Sequence, residues 1–132
     1  MDDDTFLQSL RDATLPLVDF SHRSHLRLTW LLLRRHGYDG ALAECCSLLR
    51  GYTCAAGLPE MFHHSLTAAG VDRVYAGMEP GQDFDAFLAD NPELVQDFLG
   101  QVHRHYSPEL LDTRQAREAI LPPDRAPFAR AS

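Results

Sequence analysis

The stretch Asp19–Gly37, DFSHRSHLRLTWLLLRRHG, decides the fold. Its apolar side chains recur at the spacing of an α-helix. They form two rows, one of Leu26, Trp30 and Leu33 and one of Leu28 and Leu32. Asp19 or Ser21 can cap the start of this helix, and Gly37 can end it. The stretch therefore predicts an amphipathic helix with one apolar face.

The rest of the chain shows the same helical period. We expect six further helical segments, at about residues 2–13, 39–57, 60–75, 83–89, 91–105 and 107–120, with the last interrupted near Asp112. No segment alternates apolar and polar residues as a half-buried strand does. The pattern predicts an all-α fold, a single-domain bundle of six or seven helices over residues 1–121, with an extended tail over residues 122–132 on the surface.

Composition excludes several classes of function. The chain has 132 residues and a formal net charge of -7, and all 12 of its basic residues are arginines. Lysine-based chemistry is therefore excluded, and nucleic-acid binding is disfavoured because phosphate neutralisation needs a concentrated positive face. The longest apolar run is Trp30–Leu33, so no membrane span is expected. An acidic start and an odd number of cysteines favour the reducing cytoplasm, and the absence of lysine favours a GC-rich bacterial source.

Histidines provide the least ordinary feature. His22 and His25 are three apart, so their imidazoles project from one side of the predicted helix. His63 begins the fourth predicted helix, and a facing helix can supply a third ligand in a bundle. Imidazole is a common ligand of Fe, Zn, Mn, Ni and Cu. The pattern predicts one transition-metal ion on His22, His25 and His63, and the alternative is that these are ordinary interior or boundary histidines.

Other reactive side chains carry weaker signals. Glu60 and His64 are reserve ligands, but one Glu-x-x-His spacing does not make a di-iron bundle. Cys45 and Cys46 lie mid-helix among apolar residues, and Cys54 lies near a helix C-terminus, so we interpret all three as small packing residues rather than nucleophiles.

The end of the sixth predicted helix, residues 103–106, can be read in two ways. A solvated C-terminal turn is the simpler one, because cations suit the end of a helix. In the other, His105 or Tyr106 closes over a pocket as an acid or base.

Three motifs together resemble a family of small, uncharacterised bacterial proteins. The first family pattern, F-x-H-x-x-H-L-R-x-A-W, is matched by residues 20–30, with Thr29 in place of Ala. The second, Y-H-E-T followed by a hydrophobic residue and Thr, is matched by residues 62–67. The third, H-Y-S, then Ala-Arg and Pro-Asp, is matched at residues 105–107, 116–117 and 123–124. His64 stands where the family has Glu and Ser65 where it has Thr, so if the Glu is a ligand or base in relatives, this chain is expected to bind a different metal or to lack the activity. The resemblance implies that His22, His25 and His63 form one site.

The sequence therefore predicts a small cytoplasmic metal-binding protein. An oxygen-using or hydrolytic metalloenzyme acting on a small molecule fits an open coordination position, with His64, Glu60 and Tyr106 as candidate acid–base groups. One alternative is a non-catalytic helical homodimer or partner-binding module without metal. Another is a metal-free pocket for a small molecule.

Overall fold

A computed structural model describes residues 1–129 of the chain, and it confirms the all-α class. Within these residues there are eight α-helices and no β-strand. The helices are α1 (Asp3–Arg11), α2 (His22–Ala55), α3 (His64–Gly77), α4 (Phe84–Asp90), α5 (Pro92–Gln96), α6 (Phe98–Val102), α7 (Pro108–Leu111) and α8 (Arg114–Glu118). The described residues divide into two compact units, residues 1–62 and residues 63–129. The predicted single bundle over residues 1–121 stays a prediction, and we describe each unit by itself.

The first unit consists of α1 packed on α2, followed by a short 3-10 turn, Pro59–Met61. The side chain of Asp2 accepts a hydrogen bond from the Thr5 amide (2.8 Å) and so caps α1. The apolar side of α1, namely Phe6, Leu7 and Leu10, is buried. Arg27 of α2 pairs with Asp3 at 2.8 Å, but this pair is partly exposed and contributes little to stability.

Helix α2 changes direction at Gly37. This residue has φ 74° and ψ -175°, outside the helical range, and helical backbone continues on both sides of it. A positive φ strains an L side chain but not glycine. The predicted stop at Gly37 and restart near Asp39 therefore correspond to one kinked element. All of its residues from Leu26 to Leu33 are buried, except for the half-buried Arg27.

The second unit is built around α3, which packs against α6 and α8. Ala69, Val102 and Tyr106 form its buried centre, with Phe98 and Phe128 packed against them. The predicted start of this helix near Glu60 is wrong, because α3 begins at His64 after the His63 side chain has capped it. The predicted helix over residues 91–105 is broken at Asp97, whose φ of -147° and ψ of 53° leave the helical region. The last helix is interrupted at Asp112, as expected.

The segment that follows α8 has no helix through residue 129, so the predicted helix ends at Glu118 and not near Ile120, and backbone hydrogen bonds attach this segment to the rest of the second unit. The amides of Arg125 and Ala126 donate to the carbonyls of His105 and Arg104, both at 3.0 Å. The Phe128 ring lies edge-on to the Tyr106 ring, with centroids 5.6 Å apart. Residues 130–132 of the predicted tail lie outside the described residues.

Candidate functional site

His22 and His25 lie in the first turn of α2, in the first unit. Ser21 caps this helix, and its side chain accepts a hydrogen bond from the Ser24 amide at 3.1 Å. Because the cap sets the helix start, His22 and His25 lie three residues apart on one side of it. His22 is exposed and His25 is half-buried.

The His25 ring belongs to an aromatic group that the sequence did not indicate. Its centroid lies 5.8 Å from the Phe20 centroid, and the Phe20 ring lies 5.4 Å from the Tyr52 ring. The Tyr52 hydroxyl donates to the Leu15 carbonyl at 2.6 Å. Burial, with a smaller contribution from His22, lowers the pKa of His25 to about 4. His25 is therefore neutral at neutral pH, the form of imidazole that binds metal ions.

His63 is buried in the second unit, and both of its ring nitrogens are hydrogen-bonded. Nδ1 accepts from the Leu66 amide at 3.0 Å, as an N-cap does. Nε2 lies 2.8 Å from the Leu111 carbonyl, which can only accept, so Nε2 carries the proton. A metal ion could bind either nitrogen only after one of these bonds had broken. His63 therefore does not fit the role of a third ligand as it is placed.

Like His63, the next two residues, His64 and Ser65, form hydrogen bonds with backbone groups of a later segment of the chain. His64 Nδ1 donates to the Arg117 carbonyl at 2.9 Å, and Ser65 Oγ donates to the Ala119 carbonyl at 2.8 Å. Ser65 Oγ also accepts from the Leu121 amide at 3.1 Å. Three successive side chains, residues 63–65, thus hold the segment 111–121 against the start of α3. The second and third motifs of the sequence meet here.

Tyr106 is fully buried in the second unit. Its hydroxyl donates to the Leu121 carbonyl at 2.5 Å. Burial raises the pKa of Tyr106, opposed by a hydrogen bond with Ser65 and reinforced by the charge of Asp124. At neutral pH the hydroxyl is therefore protonated, and it donates its proton in the hydrogen bond to the Leu121 carbonyl. Glu60 is exposed in the 3-10 turn of the first unit.

The structure places a buried ionic group in the second unit that the sequence analysis missed. Asp72 is completely buried, and its Oδ2 accepts from the Ala129 amide at 3.0 Å. Nη2 of Arg73 lies 3.6 Å from the same oxygen. The ring of His105, 3% exposed, donates through Nδ1 to the Ala126 carbonyl at 2.8 Å. An acidic residue among the small and apolar residues of α3 was the available signal, but nothing in the spacing pairs it with His105.

The three cysteines differ in how far they are buried. Cys45 is buried, and burial raises the pKa of its thiol to about 12, so it is an unreactive packing residue. Cys46 is half-buried and Cys54 is exposed. All three thiols are free. The interpretation as a packing residue therefore fits Cys45 best.

Within residues 1–129, no group of three or more His, Cys, Asp or Glu side chains lies close enough to hold a metal ion. No helix in the described part of the chain has both the length and the apolarity needed to cross a membrane. Comparison with protein-family models, curated proteins and solved structures finds no match. What the fold defines is therefore a class, an all-α protein of two compact units.

Proposed function

We propose that this protein binds a transition-metal ion through the imidazoles of His22 and His25. The observation that carries the proposal is their shared side of the first turn of α2, set by the Ser21 cap. His25 is partly shielded by Phe20, and His22 faces solvent. Two imidazoles from one helix leave several coordination positions for water or a small molecule. Cu²⁺, Ni²⁺ and Zn²⁺ are the ions such nitrogen ligands hold most strongly.

The proposal omits His63. Both of its nitrogens are hydrogen-bonded, to the Leu66 amide and the Leu111 carbonyl. Breaking one of these bonds would leave a buried polar group unpaired, which costs about 1–3 kcal/mol. His64 and Tyr106 are likewise bonded to carbonyls. We therefore propose metal binding as the function. If the protein also catalyses a reaction of a small molecule, the exposed Glu60 is the candidate acid–base group that is accessible.

Calorimetric titration of tag-free protein with Cu²⁺, Ni²⁺ and Zn²⁺ tests the proposal. We expect about one equivalent to bind, and binding to be lost in His22→Gln and in His25→Gln. His36→Gln, which changes an exposed histidine later in α2, is the matched control and should bind normally. Equal binding by all four proteins, or no binding by the parent, contradicts the proposal.

A second candidate function is the metal-free partner-binding module or homodimer. Val95 and Leu99 of the second unit are 48% and 57% exposed, which favours it. Light scattering across a concentration series tests the homodimer, and a monomer at every concentration contradicts it.

We propose that the protein is located in the cytoplasm, because its three free cysteines suit a reducing compartment.

A further inference from the structure

A groove opens in the second unit where α3, α6 and α7 come together. Its volume is about 430 Å³, within the range of small-molecule sites in proteins. Residues from the start of α3, from α6 with its C-cap, and from α7 with its C-cap line it. The groove lies apart from His22 and His25 in sequence, and neither of them lines it.

The walls of the groove are mostly apolar. Leu66, Leu99 and Leu111 supply them. Leu99 is 57% exposed and the other two are half-buried. Covering such side chains with hydrocarbon removes apolar surface from water, which stabilises a complex. The walls therefore favour a ligand with an apolar body.

Three polar side chains line the groove, and they are not equally available. The nitrogens of His63 already have partners, so its ring serves as wall. His103, the C-cap of α6, presents a half-buried imidazole. Asp112, the C-cap of α7, presents an exposed carboxylate. Among the described residues that line the groove there is no arginine, and Asp112 provides a carboxylate.

Charge therefore decides the class of ligand. A carboxylate or phosphate would be repelled by Asp112 and by a chain whose net charge is -7. An ammonium group would be attracted, while its hydrocarbon part covers Leu99. We propose that this groove binds a small organic cation, an alkyl or aryl amine, with its ammonium group beside Asp112 and its apolar body on the leucine walls.

Three probes of matched length separate charge from apolar contact. ¹H–¹⁵N spectra of the protein near pH 7, with EDTA present, are recorded during titration with hexylamine, 1-hexanol and hexanoate. Hexylamine should shift the amide signals of α6 and α7 and bind about three- to fivefold more tightly than hexanol, as expected for one exposed ion pair. Hexanoate should bind most weakly. Because no metal is involved, the outcome is independent of the His22–His25 proposal.

Two variants test the residues. Asp112→Asn should reduce hexylamine affinity to that of hexanol, whereas Glu109→Gln, which changes an exposed carboxylate of α7 outside the groove, should not. Leu99→Gln should weaken the binding of hexylamine and of hexanol to a similar degree. Both altered side chains are exposed, so folding should be unaffected. Equal affinity for the three probes, unchanged binding by Asp112→Asn, or shifts confined to other helices would overturn the proposal.

Discussion

Nε2 of His105 lies 3.8 Å from Oδ2 of Asp72, and both side chains are buried. Nδ1 of the same ring donates to the Ala126 carbonyl, so the ring sits between two oxygen acceptors. Nε2 has no hydrogen-bond partner within 3.5 Å in the described structure. An imidazolium would place an N–H toward the carboxylate, whereas a neutral ring would place a lone pair there. The arrangement links α3, the end of α6 and the segment after α8.

Asp72→Asn tests the importance of this buried pair. The change removes the buried negative charge that lies 3.6 Å from Nη2 of Arg73, so this cation loses a nearby counter-charge, and we expect the free energy of unfolding to fall by about 3 kcal/mol. Urea unfolding measures the change. Glu79→Gln, at an exposed carboxylate of the same unit, is the control and should change stability by less than about 0.5 kcal/mol. Similar stability of the two variants would show that the pair does not stabilise this unit.

Ser65→Ala tests the attachment of segment 111–121 to α3. The change removes a donor to the Ala119 carbonyl and an acceptor of the Leu121 amide, both part-buried. We expect a loss of about 2 kcal/mol in the free energy of unfolding and faster hydrogen exchange at the Leu121 amide. Ser47→Ala, at an exposed serine of α2, should leave both quantities unchanged. Unaltered exchange at Leu121 would argue against the attachment.

Alkaline pH should destabilise the second unit through Tyr106. Burial raises its pKa above the ordinary value of 10, so the folded state holds this proton after the unfolded state has released it. The contribution of the neutral phenol to the free energy of unfolding is therefore complete below pH 10. It is lost as the pH rises through the pKa that Tyr106 has in the folded state. Urea unfolding from pH 8 upward should show a steeper loss for the parent protein than for Tyr106→Phe. Tyr52, whose pKa is also raised, is present in both, so parallel slopes would refute the role of Tyr106.

Two glycines of α2 should respond to alanine in opposite directions. Gly37 has φ 74°, which strains an alanine, so Gly37→Ala should lower the free energy of unfolding by about 1 kcal/mol. Gly51 is helical, and a Cβ there would meet no atom within 4 Å. Gly51→Ala should raise the free energy of unfolding by about 0.5–1 kcal/mol. Thermal unfolding measures both changes, and a shift of the same sign in both would contradict the kink at Gly37.

The candidate site was predictable in part. The pairing of His22 with His25 follows from helix spacing, and the structure places both in the first turn of α2. Sequence spacing could not show that His63 is unavailable as a ligand. Its Nε2 is hydrogen-bonded to the carbonyl of Leu111, which is 48 residues away along the chain. Whether His22 and His25 hold a metal stays a prediction.

The sequence by itself determined the helical class and most helix starts. Ser21, Asp83 and Ser107 all cap helices through an amide three residues on, and so short a separation can be read from the order of residues. Only the tertiary structure decided that His63 caps α3 while binding Leu111, and that Asp72 and His105 share a buried site. Helical period assigns a side chain to a face of its own helix. Which distant group meets that face depends on how several helices pack, and no local pattern in this chain records it.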